Sequence, residues 1–132
     1  MSVFVDTTAL YAVLDRGDEY HAAAAEIWRR LIDGADRLVS SNYVVVESCA
    51  LVQNRLGMRA ARALHDGVLP WLETYWITVE DHNGAMDALL VADRRNLSLV
   101  DCTSFVAMRR LGLRRAFAFD EDFAEQGFEV LA

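Results

Sequence analysis

The chain has 132 residues, 54% of them hydrophobic, so it is long enough to bury a core and too apolar to be disordered. A net charge of −7 argues against non-specific electrostatic binding of nucleic acid, although a metal ion could still carry such an acidic protein to a phosphate. All 13 basic residues are arginine, which leaves no lysine for a P-loop or a Schiff base.

In chain order, Ser2–Asp6 (SVFVD) reads as a short buried strand ending in an acid, and TTALYAVLDR follows with helical spacing and Thr7 or Thr8 as its N-cap. HAAAAEIWRRLIDG predicts a strong helix stopped by Gly34, and DRLVSS a second strand. In NYVVVESCALVQNRLG three valines favour a strand, but its length, Asn42 at the cap position and Gly57 as a stop favour a helix, which is the reading adopted. MRAARALHDGVLPWLETY is mostly helical with a bend near Gly67 and Pro70, and YWITV is a strand. EDHNGAMDALLVADRRN is a helix, LSLV a short apolar run ending at Asp101, and DCTSFVAMRRLG a helix capped by Asp101. RRAFAF is a strand that runs into Asp120, DEDFAEQG a short helix, and FEVLA a last strand. Strands alternating with helices predict an α/β fold, a three-layer α/β/α sandwich with a mainly parallel central sheet. No linker or repeat divides residues 1–132, which are read as one domain.

The acids repeat a pattern. Apolar runs end at Asp6, at Asp101 and at Asp120, and ligand sites of open parallel sheets lie just beyond strand carboxyl ends. A fourth acid, Glu47, sits among apolar neighbours. Two carboxylates about 4 Å apart repel by roughly 4 kcal/mol at an effective dielectric near 20, so converging acids must take up protons or a cation. Hard oxygen ligands suit Mg²⁺ or Mn²⁺, whose bound water can attack phosphorus. Asp120 and Asp122 both stand as candidates for the last ligand, and Thr7, Thr103 and Ser104 as supporting hydroxyls. Capping alone would also explain Asp6 and Asp101 individually, and a solvated helix start Asp120 and Asp122. The arginine pairs could touch phosphates or simply face solvent. Trp28, Trp71 and Trp76 read as core or a dimer face. His21, His65 and His82 have no ligand spacing with one another or with Cys49 and Cys102. Without a leader-like start or a membrane-length apolar run, the cytoplasm is the expected compartment, with both thiols reduced.

The motifs VFVDTTAL, SSNYVVVESCAL, LSLVDCTSFVAMRRLGL and RAFAFDEDFAEQGFEVL, in this order over essentially the whole chain, resemble the PIN-domain nucleases, and most closely the VapC-type toxins of toxin–antitoxin pairs. The resemblance implies an acidic site at Asp6, Glu47, Asp101 and Asp120 that holds Mg²⁺ or Mn²⁺ and cleaves RNA. Thr7 and Ser104 match hydroxyl positions that line such sites. It further implies a homodimer and a small antitoxin protein that covers the site. Asp122 departs from the family, where a His or another polar residue often stands. Two rivals remain: an Asp-dependent phosphatase or phosphotransfer domain, opposed by Thr8 where a phosphatase needs a second Asp and by the missing lysine of a receiver, and a non-catalytic module of the same fold.

Overall fold

A computed structural model describes all 132 residues. Five short strands, β1 (Ser2–Val5), β2 (Arg37–Ser41), β3 (Glu73–Tyr75), β4 (Arg115–Phe117) and β5 (Glu129–Leu131), form one sheet in the order β3-β2-β1-β4-β5 with every pairing parallel. Val3, Phe4 and Val5 are wholly buried, as a central strand covered on both faces requires. The chain builds outward from β1 to β2 and β3 on one side, then returns to lay β4 and β5 on the other. The strand order therefore reverses between β1 and β4, where open α/β sheets leave a crevice.

Seven helices connect the strands: α1 (Thr7–Leu14), α2 (His21–Asp33), α3 (Asn42–Leu56), α4 (Met58–Ala63), α5 (Val79–Ala92), α6 (Leu99–Leu111) and α7 (Asp122–Glu125). The valine-rich segment is helical because burial overrides propensity: Val44, Ser48 and Val52, four residues apart, turn one stripe into the core. Its N-cap is Ser41 rather than Asn42, with Ser41 Oγ accepting from the Val44 amide at 3.1 Å. Its stop is Gly57, at φ 92°, a conformation that side-chain-bearing residues rarely adopt. The expected bend after α4 is a π-helical turn over Leu64–Val68 followed by a 3-10 turn at Leu69–Trp71 that contains Pro70.

Other boundaries differ from expectation. Asp6, not Thr7 or Thr8, caps α1 by accepting from the Thr8 amide at 3.2 Å. The YWITV strand contributes only Tyr75 to β3, which begins at Glu73. LSLV is not a strand: Leu99 and Val100 are the first residues of α6, Ser98 is its N-cap, and Asp101 lies in its first turn. Trp28 is core, whereas Trp71 and Trp76 are exposed. Both cysteines are free, Cys102 buried and Cys49 exposed. No helix is long and apolar enough to cross a membrane.

Candidate active site

Asp6 is placed by the end of β1. Its Oδ2 accepts from the Thr8 amide and, at 2.6 Å, from the Thr8 hydroxyl. That hydroxyl in turn accepts from the Phe119 amide at 2.9 Å, so Thr8 ties the carboxyl ends of β1 and β4 together across the crevice. Asp120 stands three residues beyond β4, with Oδ1 accepting from the Asp122 amide at 2.9 Å. Asp101 reaches the same place from α6 through a reciprocal cap: Ser98 Oγ accepts from the Asp101 amide at 3.0 Å, and Asp101 Oδ2 from the Ser98 amide at 3.1 Å. In all three acids one oxygen is held by local bonds, which orients the other.

Carboxylate oxygens of Asp101, Asp120 and Asp122 lie within 4.8 Å of one another. Asp122 is buried, and its Oδ1 is paired with Arg94 at 2.8 Å; Arg94 also reaches Glu125 at 3.5 Å. Phe123, the next residue, is fully buried and packs edge-on against Phe105 of α6 with centroids 5.0 Å apart, fixing the Asp120–Asp122 turn to the helix that carries Asp101. Glu47, half-buried on α3, lines a cavity of about 260 Å³ with Thr7, Thr8, Tyr11 and Arg55.

Asp6 and Glu47 lie outside that three-acid cluster, and the charge of Asp101 links them to it. Burial pushes Asp6 up to about 7; Thr8 opposes this through its hydrogen bonds and the Asp101 charge adds to it. Burial likewise lifts Asp101 to about 6, and the charges of Asp120 and Glu47 add to it. Asp120 is raised by burial; the bond from the Asp122 amide opposes this, the Asp122 side chain adds to it, and Arg94 acts against the rise. Asp81 is the contrast. Burial pushes it upward too, but bonds from Tyr75, Thr78 and Arg110 overcome burial and hold it below the ordinary range. It is as inaccessible as Asp6, but its oxygens are satisfied by hydrogen bonds and by Arg110.

Of the expected supporting hydroxyls, Thr7 lines the cavity and its buried Oγ1 has no hydrogen-bond partner. Thr103 and Ser104 do not support the acids: both hydroxyls donate back to the Val100 carbonyl of their own helix, at 2.7 and 3.0 Å. Residues not foreseen as site elements are Ser98 and Thr8 in its linking role, and Arg94, expected on phosphate or facing solvent, pairs with Asp122. Only Ser98 left a local signal, the Ser-x-x-acid spacing of a capping box.

The donor set fits a hard divalent cation. Asp101, Asp120 and Asp122 offer only carboxylate oxygens, and the raised proton affinities of Asp101 and Asp120 mark a place short of positive charge. Residues 3–129 match the PIN domain family. The chain belongs to this family. As a PIN domain it is 35% identical over 127 residues, 96% of this chain and 95% of the relative, to the 23S rRNA-specific endonuclease VapC20 of Mycobacterium tuberculosis. The crystal structure of that VapC20, described as a sarcin–ricin loop cleaving toxin, superposes with a TM-score of 0.85 at 34% identity, covering 96% of this chain and 95% of that one. FitAcB from Neisseria gonorrhoeae (TM-score 0.69, 14% identity, 100% of this chain and 97% of that one) shares the fold. VapBC2 from Rickettsia felis bound to a DNA fragment from its promoter (0.69, 10%, 98% and 97%) shares it as well.

Proposed function

We propose that this PIN domain is a divalent-metal-dependent endoribonuclease, the toxin of a toxin–antitoxin pair, and that it cuts a structured ribosomal RNA loop as its VapC20 relative is named for doing. The observation that supports the reading is the cluster of Asp101, Asp120 and Asp122 oxygens within 4.8 Å, with the Asp101 charge acting on Asp6 at the end of β1. Asp101, Asp120 and Asp122, with Asp6 beside them, would hold Mg²⁺ or Mn²⁺, while Arg94 pairs with Asp122. The ion supplies Lewis-acid polarisation of water and phosphate and neutralises charge developing on phosphorus. Glu47, facing the cavity from α3, would take the proton of the attacking water as its oxygen bonds to phosphorus, and the ribose oxygen released by phosphorus–oxygen cleavage would take a proton from solvent. Thr7 offers its unpartnered hydroxyl to a phosphate oxygen.

Residues 1–132 act as one catalytic domain in this reading, working in the cytoplasm. A small antitoxin protein and a second copy of the chain are its expected partners, supported by the exposed apolar side chains Trp76, Val79, Leu90 and Val91 on and beside α5. The test is cleavage of an RNA hairpin carrying the sarcin–ricin loop. The parent cuts with Mg²⁺ or Mn²⁺ and is silent in chelator, and Asp101→Asn is silent throughout while melting cooperatively. An Asp101→Asn protein that cuts at the parent rate overturns the assignment.

A further inference from the structure

An acidic ribonuclease must still meet its substrate's phosphates, and most of its arginines near carboxylates are already occupied. Arg37, Arg94, Arg110 and Arg115 pair with Glu73, Asp122, Asp81 and Asp36. Arg55 differs. It forms no salt bridge, yet it lines the cavity that also holds Glu47 and Thr7. Its guanidinium sits over the Tyr11 ring, 5.4 Å from the centroid, and Tyr11 is itself fixed by donating to Asp15 at 2.7 Å. The cation is thus oriented before any ligand arrives, and its hydrogen-bonding edge is not spent on a carboxylate.

On the same cavity stands an aromatic pair. Tyr20 stacks on Phe119 with centroids 4.7 Å apart and planes 12° from parallel. Phe119 directly precedes Asp120, and its amide is bonded to Thr8. The Asp18 carboxylate, also on the cavity wall, accepts from the Tyr20 amide at 2.9 Å and so anchors Tyr20. Tyr20 remains 43% exposed. A pre-oriented cation that forms no salt bridge, though it feels the Asp15 charge, and an exposed stacking ring on one cavity match the two parts of a nucleotide, its phosphate and its base.

We propose that Arg55 and Tyr20 form a nucleotide subsite beside the carboxylates, with Arg55 on the phosphate flanking the scissile bond and Tyr20 stacking on the adjoining base. The inference rests on the ribonuclease reading above. Stacking on a ring is tolerant of base identity, so the subsite positions the strand rather than reading its sequence.

The test is steady-state cleavage of a fluorescein-labelled sarcin–ricin hairpin RNA with Mg²⁺, alongside the salt dependence of its binding. Arg55→Gln raises KM about tenfold with kcat within about twofold, and lowers the slope of log affinity against log salt by about 0.7 to 0.9. Arg55→Lys recovers the salt slope but only part of KM, because a point charge lacks the planar stacking on Tyr11. Tyr20→Ala raises KM about fivefold or more, whereas Tyr20→Phe leaves it unchanged. All four variants melt within a few degrees of the parent. Unchanged KM and salt slope in both Arg55→Gln and Tyr20→Ala, with Asp101→Asn inactive, overturn the subsite and leave the nuclease standing; that result assigns the cavity to another occupant, such as a partner protein. A parent that cuts no RNA with either metal overturns the nuclease reading itself, and the subsite with it.

Discussion

At the scale of single residues the site is a set of acids under tension. Asp6 is buried and feels Asp101, and the distance from its ordinary value of 3.8 to about 7 corresponds to about 4 kcal/mol of penalty on its charged form at high pH. The consequence for stability has a definite sign. Between about pH 4 and pH 7 the metal-free folded chain keeps protons that the unfolded chain has released, so its stability falls as pH rises through that window, with Asp101 contributing up to about 6. Denaturant titrations of metal-free protein at pH 5 and pH 8 check this, and equal or greater stability at pH 8 contradicts it. Asp6→Asn removes the charge but keeps an oxygen to cap α1. It is expected to stabilise the metal-free protein by about 2 kcal/mol at pH 8, to change it little at pH 4, and to abolish cleavage. The electrostatic origin of the shift fails if the variant is destabilised equally at both pH values.

At the scale of elements, the site depends on two devices that hold acids from separate segments in register. The Ser98–Asp101 capping box aims Asp101. Ser98→Ala therefore costs about 1 kcal/mol of stability and lowers cleavage as well, although Ser98 is no ligand; normal activity with the expected loss of stability shows that the cap does not orient Asp101. The Phe105–Phe123 contact holds the Asp120–Asp122 turn. Phe123→Ala is expected to destabilise by about 3 to 5 kcal/mol in thermal or denaturant melts. These devices mark the limit of what the sequence discloses. Asp6 and Asp120 were legible because buried strands end beside them, and the α3 helix because Gly57 and a four-residue core stripe agree on it. Asp101 stands in the acidic cluster on a helix rather than at a strand end: a four-residue apolar run cannot be told from the first turn of a helix, so LSLV reads as a strand. The links Thr8–Phe119 and Arg94–Asp122 join residues 111 and 28 positions apart, and no local pattern announces such pairs. Thr103 and Ser104 stood one helical turn from looking useful, yet a hydroxyl in a helix has the carbonyl of the preceding turn as its nearest acceptor.

At the scale of the whole molecule, the sheet order explains why an acidic protein concentrates its charge at the mouth of its own core. The reversal between β1 and β4 opens the crevice, the strands bring Asp6 and Asp120 to it, and α3 and α6 close it with Glu47 and Asp101. Burial raises the proton affinity of these acids, so a divalent ion bound among them would stabilise the folded chain. The most direct measurement is the melting temperature of the purified chain at pH 8 with increasing Mn²⁺, together with calorimetric titration of the same ion. The account predicts a saturable rise in melting temperature that shrinks at pH 5, where protons compete, and that is lost in Asp101→Asn. A parent whose melting temperature and binding heat do not respond to Mn²⁺, or an Asp101→Asn protein that responds equally, contradicts it.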